Sequence, residues 1–221
     1  SDALFQNFLN NRTQIAQRWS DATGLPISGF KQSGQQVLLP AFVAAYSGDS
    51  PGSIGLGVFK NIPIPNWTLR YRGLMDLDWF KDNFSNFVIS NGYKSSYTVA
   101  NYTNNLQYDA NNPSQVNASG NYHSELLVSS LSLIDEFSPL IKIDMKMRNS
   151  FSFTGEIRRD RTLTLNFDNS TLTDVKGTEF IFGIGYKIQN VGFRTNFIGK
   201  QQELKGDINL RANISIRDNL T

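Results

Sequence analysis

Side-chain polarity alternates from residue to residue between Ile141 and Arg158, and this alternation limits the possible folds of the chain more than any other pattern in the sequence. Every second residue is apolar or small, apart from Asn149, and every residue between them is charged or hydroxylic. Such alternation predicts one pleated strand with a dry face and a wet face. Soluble strands commonly end after about 5 or 6 residues, whereas a tilted strand crosses a bilayer with about 9 to 11. We therefore expect a strand long enough to span a membrane.

The alternation recurs elsewhere in the chain. A second run without an error extends from Leu204 to Ile216, and less regular runs extend from Phe87 to Val99 and from Phe180 to Ile188. The expected fold is all-β: a segment of an antiparallel transmembrane β-barrel with long strands, preceded by a short helix and loop region. A soluble antiparallel sheet with one solvated face gives the same pattern in any single strand, but the recurrence in long runs favours the barrel.

The alternation also assigns a face to each side chain of the predicted barrel wall. The residues expected to face lipid are Ile141, Ile143, Met145, Met147, Phe151, Phe153, Ile208, Leu210 and Ile214. The residues expected to face the water-filled lumen are Lys142, Asp144, Lys146, Arg148, Lys205, Asp207 and Arg211. The lumen set carries both signs of charge.

The chain is expected to divide into residues 1–60, a helix and loop region with a plug-like character, and residues 61–221, which supply the barrel strands. Apolar spacing between Phe5 and Trp19 predicts an amphipathic helix. The stretch from Leu38 to Gly48 is a short apolar segment within the loop region. The first strand is predicted from Thr68 to Leu74.

Turn signals complete the outline of about seven or eight predicted strands. The segment from Asp76 to Phe84 is predicted to be a turn or a single helical turn. The Asn-rich stretch from Asn101 to Asn121 predicts a long exposed connection between strands. Tight turns are predicted at Arg159-Asp160 and at Lys176-Gly177.

Composition excludes several classes of protein. No apolar stretch is long enough for a membrane-spanning helix, so a helical membrane protein is excluded. The chain has no cysteine, which excludes disulfides and thiolate chemistry. The formal net charge is +2 and the basic residues are scattered, so we expect no nucleic-acid partner.

The residue types that commonly act in catalysis form no recognisable catalytic pattern in this sequence. The only histidine, His123, has no second histidine or cysteine to complete a metal site, so an ordinary polar strand residue is expected there. The carboxylates lack a spacing typical of acid and base partners. We therefore expect no catalytic residue, no metal and no cofactor, and a protein that is not an enzyme.

Five segments occur in an order that resembles a known family. They are LLPAFVAAYSG from Leu38, IPIPNWTLRYRGL from Ile62, SNGYKSSY from Ser90, FSPLIKID from Phe137 and IRDN from Ile216. Together they resemble the C-terminal part of the SprA (Sov) family, the giant outer-membrane translocon of the type IX secretion system of Bacteroidota. The resemblance covers most of the chain, and its motifs carry no catalytic residue.

The resemblance implies a protein-conducting barrel in the bacterial outer membrane that exports folded cargo proteins. Its implied partners are a PorV-type shuttle barrel, a periplasmic plug protein and the secreted cargo. The predicted strands are too few for a barrel of that size, so the chain is expected to be a slice of a larger protein. Two alternatives stay open: a small self-contained outer-membrane barrel acting as a porin or adhesin, and a soluble extracytoplasmic β-sandwich that binds a ligand.

Overall fold

A computed structural model describes residues 2–59, 66–169, 171–197 and 200–220. In these ranges the helices and strands, in chain order, are α1 (Asp2–Thr23), α2 (Gln35–Ser47), β1 (Trp67–Tyr71), α3 (Asp78–Asn83), β2 (Phe84–Asn104), β3 (Leu126–Met147), β4 (Phe151–Asn166), β5 (Thr171–Phe197) and β6 (Lys200–Leu220).

The strands form one sheet in which each strand lies beside its neighbour in the chain, from β1 to β6. The protein is therefore mostly antiparallel β-sheet with short helices near the N-terminus, as the alternation predicts. In the described ranges the sheet has six strands and is not closed into a barrel. The strands other than β1 have 16 to 27 residues, so the predicted great length of the strands is confirmed.

The chain separates into two compact units. The first unit comprises residues 1–63, 96–133 and 162–174, and the second comprises residues 64–95, 134–161 and 175–221. The predicted boundary between residues 60 and 61 lies outside the described residues. The division into a helical region and a strand region stays a prediction.

The first unit has a hydrophobic core in which α1 and α2 pack against strand residues. Phe8, Ile15 and Ala16 are buried on α1, which agrees with the helix predicted from Phe5 to Trp19. The strand side chains buried in the same core are Leu131, Leu163 and Leu165. The core therefore joins a helix pair to the sheet.

The interpretation of Leu38 to Gly48 as loop was wrong, because this segment lies in α2 and the residue after the helix. The helix was not predicted because proline usually breaks a helix. Pro40 lacks an N–H and leaves the carbonyl of Gln36 without its helical partner. The indole Nε1 of Trp19 donates a hydrogen bond to that carbonyl at 2.8 Å. A side chain from α1 thus satisfies the group that proline leaves open.

Two predictions about connecting segments agree with the structure in outline. A 3₁₀ turn at Gly73–Asp76 and α3 account for the predicted turn between Asp76 and Phe84. The connection predicted from Asn101 to Asn121 runs from residue 105 to residue 125, because β2 continues to Asn104. His123 lies in this connection and not in a strand, so its predicted location was wrong.

The run from Ile141 to Arg158 is two strands and not one. β3 ends at Met147, and β4 begins at Phe151 after a turn in which Ser150 has a φ of 72°. Hairpin loops of this length commonly end in a residue of left-handed conformation. The loop has three residues, an odd number, so the alternation of polarity continues through it without interruption. The sequence pattern therefore gives no sign that the chain reverses direction here.

The tight turns predicted at Arg159-Asp160 and Lys176-Gly177 are also wrong, because these residues lie inside β4 and β5. Asp160 forms an ion pair there with Arg217 of β6 at 2.9 Å. A side chain at Gly177 would meet both of these charged groups. The glycine therefore makes room for an ion pair and does not form a turn.

Candidate functional site: the two faces of the second unit

One face of the second unit carries ion pairs that connect neighbouring strands. Lys142 Nζ on β3 lies 3.4 Å from Asp144 Oδ2 and 3.7 Å from Glu156 Oε2 on β4. The guanidinium of Arg158 pairs with Glu156 and, at 3.6 Å, with Glu179 on β5. Glu156 is 7% exposed, so this carboxylate is buried between two cations. The charges alternate in sign from β3 to β5, which stabilises each of them at close range.

Further pairs extend the charged face to β6. Arg217 donates two hydrogen bonds, each of 2.9 Å, to the carboxylate oxygens of Asp160. Lys187 Nζ on β5 lies 2.6 Å from Asp207 Oδ2 on β6. Opposite charges thus meet across each pair of neighbouring strands from β3 to β6.

Glycines make part of this face concave. Gly183 and Gly185 on β5 help to line a cavity of about 470 Å³ together with polar and charged side chains. The charged residues of its lining are Lys142, Asp144, Lys146, Glu156, Arg158 and Arg211. Four of these side chains are basic and two are acidic, so the surface carries both signs of charge.

The alternate positions of the same strands expose large apolar side chains. Ile214 and Ile216 on β6 are 65% and 62% exposed, and Phe182 on β5 is 59% exposed. Within the second unit, the other exposed apolar residues of these strands and of β1 and β3 are Trp67, Leu69, Tyr71, Ile141, Phe180, Ile184, Tyr186, Ile188, Leu210 and Leu220. A soluble monomer rarely exposes a contiguous apolar surface of this extent. This apolar face therefore requires a covering.

Aromatic side chains of the second unit form three groups. Trp67, Tyr93 and Phe137 form one cluster, in which the rings of Trp67 and Tyr93 have centroids 4.5 Å apart. Beside the turn between β3 and β4, Phe151 and Tyr186 have ring centroids 4.5 Å apart. A third group joins α3 to the start of β2 and consists of Trp79, Phe80, Phe84 and Phe87.

The predicted wall residues lie on the strands as follows. Of the lipid-facing set, Ile141, Ile143, Met145 and Met147 are on β3, Phe151 and Phe153 on β4, and Ile208, Leu210 and Ile214 on β6. Of the lumen-facing set, Lys142, Asp144 and Lys146 are on β3, and Lys205, Asp207 and Arg211 on β6. Arg148 lies instead in the turn before β4, where its Nε donates to the Lys81 carbonyl at 2.7 Å.

The structure brings members of each predicted set together. Ile143, Met145, Phe153 and Ile214 line one groove, and Lys142, Asp144, Lys146 and Arg211 line the polar cavity. Met145 and Phe153 of the predicted lipid-facing set also contribute to the lining of the polar cavity. The sequence analysis missed Asp160, Glu179 and Arg217, because only the strand register reveals their partners. The only indication in the sequence that these residues lie on the polar face was their position in the alternation of polarity.

Comparison of the sequence with models of known protein families and with curated proteins found no match. Among the residues that the structure describes, no helix has the length and apolar character needed to cross a membrane. The same part of the chain contains no group of three histidine, cysteine or acidic residues placed to hold a metal ion.

Proposed function

We propose that the strands of the second unit form part of the wall of a β-barrel in a bacterial outer membrane. One observation carries this proposal: the same strands expose an apolar face at alternate positions and carry paired charges at the positions between. A bilayer covers an apolar face without needing any specific partner. The other face would then meet water in the barrel lumen.

The dimensions of the apolar face support a bilayer as its covering. Phe137 and Met147 mark its two ends on β3 and lie about 33 Å apart along the strand at a rise of about 3.3 Å per residue. A strand tilt of about 40° reduces this length to about 25 Å, which is the height of the apolar band of outer-membrane barrels. Phe137 belongs to one aromatic cluster, and Met147 lies just before the turn beside another. Aromatic girdles flank the apolar band in such proteins.

The open sheet supports a barrel made of more strands than those described. In the described ranges β6 pairs with β5 along one edge only, and β1 has only 5 residues. Backbone groups exposed to lipid must all be paired, which requires a closed sheet. We therefore propose that these six strands belong to a larger barrel.

The resemblance to the SprA (Sov) family supports a more specific role. We propose that the barrel is the protein-conducting translocon of a type IX secretion system and exports folded cargo across the outer membrane. A PorV-type shuttle barrel and a periplasmic plug protein would be its partners. The paired charges on the polar face, which include Lys142 and Glu156, fit a passive conduit because the two charges of each pair offset one another.

The experiment that tests the proposal measures the size and membrane association of the native polypeptide. An antibody against the connection from residue 105 to residue 120, whose residues are mostly exposed, would detect it in fractionated cells. We expect a band many times larger than 24.8 kDa in the outer-membrane fraction, resistant to extraction by salt.

Other results would overturn parts of the proposal separately. A membrane band near 24.8 kDa whose migration shifts on heating would indicate a small self-contained barrel and refute the translocon. A protein that stays in solution without detergent would refute the barrel as well and favour the soluble β-sandwich.

A further inference from the structure

A groove of about 450 Å³ crosses the apolar face of the second unit. Met145, Phe153 and Phe182 are among the large residues that line it, and Gly155, Gly183 and Ala212 are the smallest. A Cβ atom added at Gly155 would meet no other atom within 4 Å. The groove therefore exists because a small residue stands where the neighbouring positions carry bulky ones.

The chemistry of the lining selects the kind of occupant. No lining residue is charged, and the one hydroxyl group among them belongs to Thr154. That hydroxyl donates a hydrogen bond of 2.9 Å to Asp144 Oδ1, so it is already engaged. An extended polypeptide segment in the groove would leave its own N–H and C=O groups without partners, which is unfavourable in an apolar setting. An uncharged hydrocarbon chain incurs no such penalty.

We infer that this groove binds one acyl chain of a membrane lipid. The inference rests on the proposed function, because the groove is continuous with the apolar band that we place in the bilayer. The walls offer apolar contact on both sides of the chain. The bound chain would therefore exchange more slowly than the lipids around it.

The test fills the groove and compares it with a matched position. Gly155→Leu places a side chain in the groove, and Ala212→Leu does so independently. Gly206→Leu is the control, because Gly206 is also on a strand, also has no atom within 4 Å of an added Cβ and does not line the groove. Neither glycine has a positive φ, so both accept a side chain.

The readouts are lipid retention and proximity in the full-length protein, extracted in mild detergent. Native mass spectrometry counts the retained lipids, and a Phe182→Trp reporter measures fluorescence quenching by phospholipids brominated on the acyl chain. We expect the unfilled protein and Gly206→Leu to retain one lipid and to be strongly quenched. Gly155→Leu and Ala212→Leu should lose that lipid and most of the quenching.

Two results would overturn the inference. If the filled and control variants retain lipid equally while fractionating with the membrane, the groove holds no specific chain and the proposed barrel still stands. If the protein is water-soluble and none of the variants retains lipid, the proposed function fails together with the inference. Heat-shifted migration in gels confirms that each variant is folded before it is compared.

Discussion

An arginine at Ile143 is expected to destabilise the protein strongly if the apolar face meets lipid. Ile143 lies near the middle of the stretch from Phe137 to Met147, at about 3 Å from the bilayer midplane for a rise of about 3.3 Å per residue and the tilt given above. Arginine on the lipid face at the midplane costs about 2 to 4 kcal/mol. Ile143→Arg should therefore lower the folded-to-unfolded ratio by about 30-fold to 900-fold.

Two further variants make this prediction specific to depth and face. Met145 lies about 8 Å from the midplane by the same geometry, so Met145→Arg should cost less than Ile143→Arg. Lys146 belongs to the polar alternation and is exposed, so Lys146→Glu should change the unfolding free energy by less than about 0.5 kcal/mol.

The assay is urea unfolding of the membrane-inserted protein, followed by the heat-dependent shift of its band in gel electrophoresis. The expected order of destabilisation is Ile143→Arg, then Met145→Arg, then Lys146→Glu. Equal effects of the three substitutions would refute the assignment of the apolar face to lipid. A larger effect at Met145 than at Ile143 would refute the proposed position of the midplane.

Three other predictions, all tested by chemical unfolding, concern packing and pairing in the two units. Phe42→Ala should cost about 3 to 5 kcal/mol, because Phe42 is fully buried between the helices of the first unit; a cost below 1 kcal/mol would contradict that core. Gln35→Ala should lower the unfolding free energy by about 1 to 3 kcal/mol. The Gln35 amide donates a hydrogen bond to the Leu126 carbonyl and accepts one from the Val128 N–H at the start of β3, each at 2.8 Å. An unchanged stability would exclude this role. Glu156→Gln should destabilise more than Asp160→Asn, because Glu156 is almost fully buried between two cations; the reverse order would show that the exposed pair is the stronger one.

Of the first two helices, sequence reasoning predicted α1 and missed α2. The apolar spacing between Phe5 and Trp19 identified α1, because a helix repeats its buried face at a spacing that is visible in the sequence. The same reasoning missed α2, because Pro40 is a breaker in isolation. The hydrogen bond from Trp19 to Gln36 that compensates for it joins residues of two different helices. No local pattern contains that information.

The sequence pattern alone established that the strands are long and two-faced, since alternation of side chains is a local property of the extended backbone. It also determined which residues share a face, such as Ile143 with Phe153 and Lys142 with Glu156. The reversal of the chain at Ser150 became visible only in the folded protein, because an odd-length turn preserves the alternation. The partners across strands and the groove over Gly155 likewise depend on register, which is fixed by contacts between distant segments and not by any one of them.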